Sequence, residues 1–211
     1  MPTARETLLE AAHAAVRAQP WTGVRMVDVA AAAGVSRQTL YNEFGSKEGL
    51  GAALVNRLVE DFLDGAARAV TEAGRTGADP AACCAAAAGW VLRSAREEPI
   101  VRAALTGCWG TRMPLPPARH APTAGLPGEP AELALVLRDR AVSGLDQAGT
   151  LPLGGPQPVP AAHNGGQGKL ELAYETGLRV ALSYVVAPGR GPDDGPCGRV
   201  DEVVRALLER K

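Results

Sequence analysis

Scarcity of large flat side chains constrains this chain more than any other feature. Phe, Trp and Tyr together make up 4% of the sequence, while hydrophobic residues as a whole make up 46%. A core of that composition is built from Ala, Val and Leu. Ala and Leu favour helices, whereas sheets favour β-branched and aromatic side chains. The spacing agrees: apolar residues recur at intervals of three and four along most of the chain, with no strand-like alternation and no internal repeat. An all-α fold is the expectation.

Capping signals divide the pattern into helices. The first starts near Thr3, carries Leu8, Leu9, Ala12 and Val16 on one face, and stops at Gln19-Pro20. A short second helix covers Met26 to Ala33, and Gly34 suits its left-handed C-terminal cap. Ser36 caps a third helix from Arg37 to about Phe44, and Val35 and Leu40 have the spacing of a hydrophobic staple. Gly45 ends it. Ser46 then caps a long helix striped by Leu50, Leu54, Leu58 and Phe62 to about Ala73. Further helices are expected over Ala81–Arg96, Pro99–Thr106, Glu132–Leu145, Lys169–Ala187 and Arg199–Leu208. The Pro- and Gly-rich stretches Gly107–Pro130 and Gly149–Gly168 read as loops, the first of them mobile.

Several function classes find no support. No run approaches the roughly 18 consecutive apolar residues of a membrane span. No signal-peptide core follows the N-terminus, so a cytosolic protein is expected. Cys83, Cys84, Cys108 and Cys197 include no CxxC spacing, and His13, His120 and His163 are scattered, so no metal site or cofactor is expected. Reduced structural thiols are the reading for the cysteines. No Gly-rich phosphate loop and no nucleophile–base pairing points to an enzyme. The net charge of −1 argues against a protein that coats nucleic acid without selectivity, but not against a specific reader with a local basic surface.

Such a reader is outlined by Arg25 to Lys47. Two short helices around a Gly-Val-Ser turn have the form of a helix-turn-helix. On the third helix Leu40 and Phe44 lie four apart and face inward. Arg37, Gln38, Tyr41 and Asn42 are left outside, with lengths and donor–acceptor patterns suited to base edges and phosphates. Ser36 and Thr39 sit at the helix N-terminus, where backbone donors favour phosphate. Lys47 can hold the backbone again at the start of the next helix. The alternative is a set of solvated polar residues on a short helix.

Residues from about Thr3 to Phe62 resemble the N-terminal domain of TetR-type (tetracycline-repressor-like) regulators. Val27-Asp28-Val29-Ala30, Ala33-Gly34-Val35-Ser36, Thr39-Leu40-Tyr41 and Phe44-Gly45-Ser46-Lys47-Glu48 carry the likeness, in order and in place. It implies a helix-turn-helix domain over residues 1–48 and a helical ligand-binding and dimerisation domain over residues 49–211. It also implies a third helix that enters the major groove. Two residues depart from the pattern. Arg25 stands where a Ser or Thr cap is usual, and either contacts phosphate or leaves the cap to Asp28 or water. Glu43 stands where an aromatic is common, and either points away from DNA or pairs with a nearby Arg. Acidic and basic residues balance in the first fifty, so affinity rests on few phosphate contacts and on two heads in a dimer.

In the penultimate helix Ala173, Gly177 and Ala181 are spaced by four, so a neighbouring helix can approach closely there. In the last helix Val200, Val203, Val204, Leu207 and Leu208 form an apolar stripe. The two helices either complete the protomer's own core or, as the resemblance implies, build a four-helix interface with a second copy. The dimer set is Ala173, Gly177, Ala181, Tyr184, Val200, Val204 and Leu207. For a small-molecule effector, Trp90, Leu92, Leu105, Trp109, Leu137 and Tyr174 supply apolar lining, and Arg93, Arg102 or Arg140 an anchor for an acidic group. The small residues of Ala81–Gly89 beside Trp90 either leave a cavity or permit tight packing. The function expected is a repressor that binds a near-palindromic double-stranded operator as a homodimer and is released by a small hydrophobic effector. An activator, or a helical adaptor that has lost DNA recognition, is the alternative.

Overall fold

The computed structural model describes residues 2–116, 129–149, 164–189 and 194–210. The described residues are helical and turn structure, without strands. Three helices form a head: α1 (Ala4–Ala18), α2 (Met26–Ala32) and α3 (Arg37–Phe44). The body follows as α4 (Lys47–Arg75), α5 (Pro80–Glu97), α6 (Pro99–Thr106), α7 (Pro130–Ala148), α8 (Asn164–Val186) and α9 (Asp194–Glu209). The expected boundary at residue 48 falls in the first turn of α4, which runs unbroken from head into body.

Local chemistry fixes the starts. Thr3 and Glu6 form a reciprocal capping box on α1. Ser46 accepts from the Gly49 amide on α4 and Asp79 from the Ala82 amide on α5, where Pro80 opens the helix at no cost in hydrogen bonds. Glu98 ends α5 and starts α6 at once, ahead of Pro99.

Close packing builds the body. α5 lies at the centre, against α4, α6, α8 and α9. Its Cys83, Cys84, Ala87, Ala88 and Gly89 are buried. Helices meet at glycines: a Cβ on Gly65 of α4 would stand 2.1 Å from the Trp90 ring, and one on Gly144 of α7 would stand 2.7 Å from the Ala67 carbonyl of α4. The Thr71 hydroxyl, buried at the same α4–α7 crossing, donates to the carbonyls of Ala67 and Gly144, each at 3.0 Å.

Several boundaries differ from expectation. α7 is longer at both ends, α8 starts at Asn164 rather than Lys169, and α9 at Asp194 rather than Arg199. Glycines and prolines at those starts read as loop. Helix propensity is a weak prior, and Pro196 lies in the first turn of α9, where no amide is required. A single 3-10 turn, Trp21–Gly23, which was not expected, connects α1 to α2. Half of the first expected loop and most of the second lie outside the described residues. The described part of the first, from Gly107 to Pro116, returns to the head: the Trp21 amide donates to the Arg112 carbonyl at 2.8 Å, and Pro114 packs beside Gly51.

Candidate nucleic-acid interface

The turn between α2 and α3 is closed by backbone hydrogen bonds. Gly34 takes a left-handed conformation at φ 68°. The Val35 amide donates to the Ala30 carbonyl at 3.0 Å and the Gly34 amide to Ala31 at 3.1 Å, the paired bonds of a Schellman ending. Ser36 then caps α3, its hydroxyl accepting from the Thr39 amide at 3.0 Å and lying 2.8 Å from the Thr39 hydroxyl. Leu40 is wholly buried, and Phe44, half-buried, completes the inward side.

What remains outside is a polar row. Arg37, Gln38, Tyr41 and Asn42 are exposed. No other described residue is bonded to the Arg37 guanidinium. Tyr41 is 51% exposed, unusual for a large ring without a role at a surface. These four are therefore available to base edges and phosphates.

The other candidates are engaged within the head. Arg25 grips Asp28 with two hydrogen bonds of 2.7 and 2.9 Å, and this bond pushes its pKa above the ordinary guanidinium value. It gives α2 no side-chain cap. Lys47 turns its ammonium to the Thr22 carbonyl at 3.3 Å and lies 5.4 Å from the Trp21 ring, bracing the 3-10 turn. Ser36 and Thr39 hold each other. Glu43 pairs with a nearby Arg: Arg5 of α1 lies 3.7 Å from its carboxylate and donates to its backbone carbonyl at 3.3 Å. The same guanidinium sits 4.7 Å from the Phe44 ring centre, so Arg5 seats α3 against α1.

Arg5 was not singled out from the sequence, nor were the residues that tie the head to the body. His13 of α1 meets the Glu98 carboxylate at 2.9 Å, and Arg17 lies 3.7 Å from it. Arg57 of α4 lies 3.6 Å from Glu10. These partners are far apart in sequence, and no local pattern signals them.

Of the residues expected around an effector, Leu92 and Arg102 line one cleft and Trp109 another. Leu137 and Tyr174 are wholly buried, and Leu105 is buried. The Tyr174 hydroxyl donates to the Pro80 carbonyl at 2.7 Å, and desolvation drives its pKa upward. The Trp90 indole donates to the Phe62 carbonyl at 2.8 Å while its ring fills the space above Gly65. Arg93 and Arg102 are exposed. Arg140 holds Asp64 at 2.6 Å and Glu60 at 3.1 Å. Trp109 lines a separate cleft beside the head, with Arg5, Trp21 and Phe44. The small residues of α5 thus serve tight packing.

Five of the seven residues of the expected dimer set are packed inside the protomer. Ala173, Ala181, Val200 and Val204 are buried, and a Cβ on Gly177 would stand 2.5 Å from Val204 and 3.1 Å from the Cys84 sulfur. The helix admitted by the small residues is the chain's own α9, with α5 behind it. Leu207 and Tyr184 are half-buried. Outward from α8 stand Leu172 and Val186, 60% and 67% exposed. Burial pushes the Cys83 thiol above the ordinary value and the Cys84 thiol well above it.

An all-helical body bearing a capped helix-turn-helix, with a polar outer row on its second helix, defines a class of DNA-reading proteins. Comparison with known proteins narrows it. Residues 8–54 match the model described as "Bacterial regulatory proteins, tetR family". Over 60 residues the chain is 42% identical to the HTH-type transcriptional regulator AlkX of Mycobacterium tuberculosis, a match that spans 28% of this chain and 28% of that relative. The TetR family repressor AlkX of Dietzia, implicated in biodegradation of n-alkanes, has a similar fold at TM-score 0.54 and 20% identity, over 97% of this chain and 95% of that one. A TetR/AcrR family regulator of Thermobifida fusca does so at 0.52 and 18%, over 98% of each chain. Residues 8–54 are therefore similar to the corresponding segment of tetR-family regulators, and across the whole chain the likeness to solved TetR-type structures is one of fold. Among the described residues no helix is long and apolar enough to cross a membrane.

Proposed function

We propose that the protein is a cytoplasmic, homodimeric repressor that binds a near-palindromic double-stranded operator and releases it when a small hydrophobic effector binds the body. The observation that carries the DNA half is the exposed row Arg37, Gln38, Tyr41 and Asn42 on a helix whose inward side is fully used. Arg25 and Lys47 act from intramolecular contacts: each keeps a positive charge at the edge of the head while holding a turn in place. Pairing of Glu43 with Arg5 answers the main argument for a head that has lost DNA recognition.

Dimerisation uses the outer faces of α8 and α9, where Leu172 and Val186 are joined by half-buried Val180, Leu182, Val203 and Leu207. A two-fold dimer presents two heads to successive major grooves. The long α4 transmits changes in the body to the spacing of those heads, helped by Glu98 with His13 and Arg17, and by Arg112 with Trp21. The effector must bind the state that does not fit DNA more tightly than the one that does. The likeness to the mycobacterial AlkX covers the head, so it bears on DNA reading and leaves the effector to be argued from the body itself.

The test is fluorescence anisotropy of the full chain on DNA from upstream of its own gene. Binding should be saturable, should weaken with salt by a shallow slope in keeping with few phosphate contacts, and should weaken at least about fivefold in Arg37→Ala. Equal binding by Arg37→Ala would sink the reading. A reporter in a strain lacking the gene should rise; a fall would make the protein an activator. A monomer by light scattering at micromolar concentration would remove the dimer.

A further inference from the structure

The seam of small residues between α8 and its neighbours ends at Tyr184. Beyond it lies a cleft of about 470 Å³, where the last turns of α5 and α8 meet α6 and the start of α9. Its chemistry is divided. Leu92, Ala95, Val185 and Pro188 make an apolar wall, and Arg96, Arg102 and Arg199 stand around it. Leu92 and Val185 are buried, while the three arginines are exposed at the rim. No carboxylate is among the described residues that line the cleft.

Elsewhere in the body Arg138, Arg140, Arg179 and Arg205 each hold a carboxylate at 3.1 Å or less, while Arg68, Arg75 and Arg93 hold none among the described residues. The guanidiniums of Arg102 and Arg199 hold none among the described residues. Arg96 donates from Nε to the Leu92 carbonyl at 3.2 Å, which lays its stem along the apolar wall. Cations brought together beside apolar surface repel one another, and an anion between them relieves that repulsion. A guanidinium takes the two oxygens of a carboxylate or phosphate with paired hydrogen bonds.

We propose that this cleft binds a small anionic amphiphile, its apolar chain along Leu92, Val185 and Pro188 and its carboxylate or phosphate head between Arg102 and Arg199. The proposal rests on the reading that the body takes an effector, and it gives that effector a place and a charge. The cleft also borders the coupling to the head. Arg96 and Arg102 flank Glu98, whose carboxylate holds His13 and Arg17 of α1. An anion that draws Arg102 toward Arg199 pulls α6 toward α9, and so strains the contact through which the head is held.

Calorimetry on the full chain with decanoate, decyl phosphate and decanol tests the site. At least one of the two anions should bind, at least about tenfold more tightly than decanol, since hydrogen bonds to charged groups outweigh neutral ones. The better anion identifies the head group. The double variant R102Q/R199Q should weaken that anion at least about tenfold and leave decanol unchanged, with circular dichroism confirming the fold. Equal binding of decanol and the anions, unchanged anion binding by the double variant, or binding of none of the three overturns the proposal. Anisotropy on the upstream DNA separates the two readings. If the anion binds as stated but leaves DNA affinity unchanged, the site stands and the effector reading falls. If decanol releases DNA from wild type and double variant alike, the effector reading stands and the anionic site falls.

Discussion

Head and body solve the problem of an aromatic-poor chain differently. The head is small and relies on directed polar contacts: a capping box, a serine cap, a Schellman turn, and Arg5 clamped over α3. The body relies on shape. Ala and Gly bring α4, α5, α7, α8 and α9 together, and the few large rings fill positions made for them. A polar change should therefore tell most on the head's function, and a change of one methyl group most on the body's stability.

The contrast is most exposed at Gly65. A Cβ there would stand 2.1 Å from a carbon of the Trp90 ring. The ring cannot swing aside freely, because its indole donates to the Phe62 carbonyl at 2.8 Å. Overpacking of this kind costs about 1–3 kcal/mol, and more where the neighbour is fixed. Gly65→Ala is expected to lose about 3 kcal/mol, read as a lower urea midpoint. An unchanged midpoint would break the claim that the body is held by shape.

The reverse experiment belongs to α3. Arg37→Ala and Tyr41→Ala remove exposed atoms that no core residue needs. Each should lower affinity for the upstream DNA by about 1–3 kcal/mol if it removes a base or phosphate contact, while leaving the thermal midpoint within error. A variant that loses stability along with binding would show that the polar row is structural.

Ser36 separates the two roles within one side chain. Ser36→Ala removes the oxygen that accepts from the Thr39 amide and should cost about 1 kcal/mol of stability. Ser36→Asp keeps an acceptor at the cap, so stability should hold, but it sets a negative charge at the DNA-facing end of α3. DNA binding should then fall with stability intact.

How much of this was legible in the sequence follows the same division. Thr3, Gly34, Ser36, Leu40 and Ser46 announce themselves because a cap, a turn and an inward pair are set by residues within a few positions of one another. The helix starts at Asn164 and Asp194 did not, because their glycines and prolines signal loop locally while packing of α8 and α9 decides the outcome. Ala173, Gly177 and Ala181 were read correctly as a surface for close approach. Spacing alone cannot say whether the approaching helix comes from the same chain or another, and here it is α9. Trp90 and Tyr174 show the same limit: an aromatic among small residues fits a pocket or a packed crossing equally well, until its polar atom is seen spent on the Phe62 or Pro80 carbonyl.

The smallest expected effect sits at the most unusual residue of the head. Glu43 is paired with Arg5 at 3.7 Å, and both side chains are well exposed, at 38% and 49%. An ion pair of that kind contributes at most about 0.5 kcal/mol, so Glu43→Gln should barely alter stability. Arg5 keeps its bond to the backbone carbonyl of residue 43 and its place at the Phe44 ring, so α3 stays seated. What changes is the field. The variant removes one negative charge beside a helix meant to approach phosphates, and leaves the Arg5 charge uncompensated. DNA affinity should rise a few-fold at low salt, and the gain should shrink as salt is added, because exposed charges beyond about 10 Å are screened at 0.1 M. A loss of affinity instead would mean that the carboxylate holds α3 in its reading position, and that the head, like the body, depends on a packed arrangement more than on its surface charge.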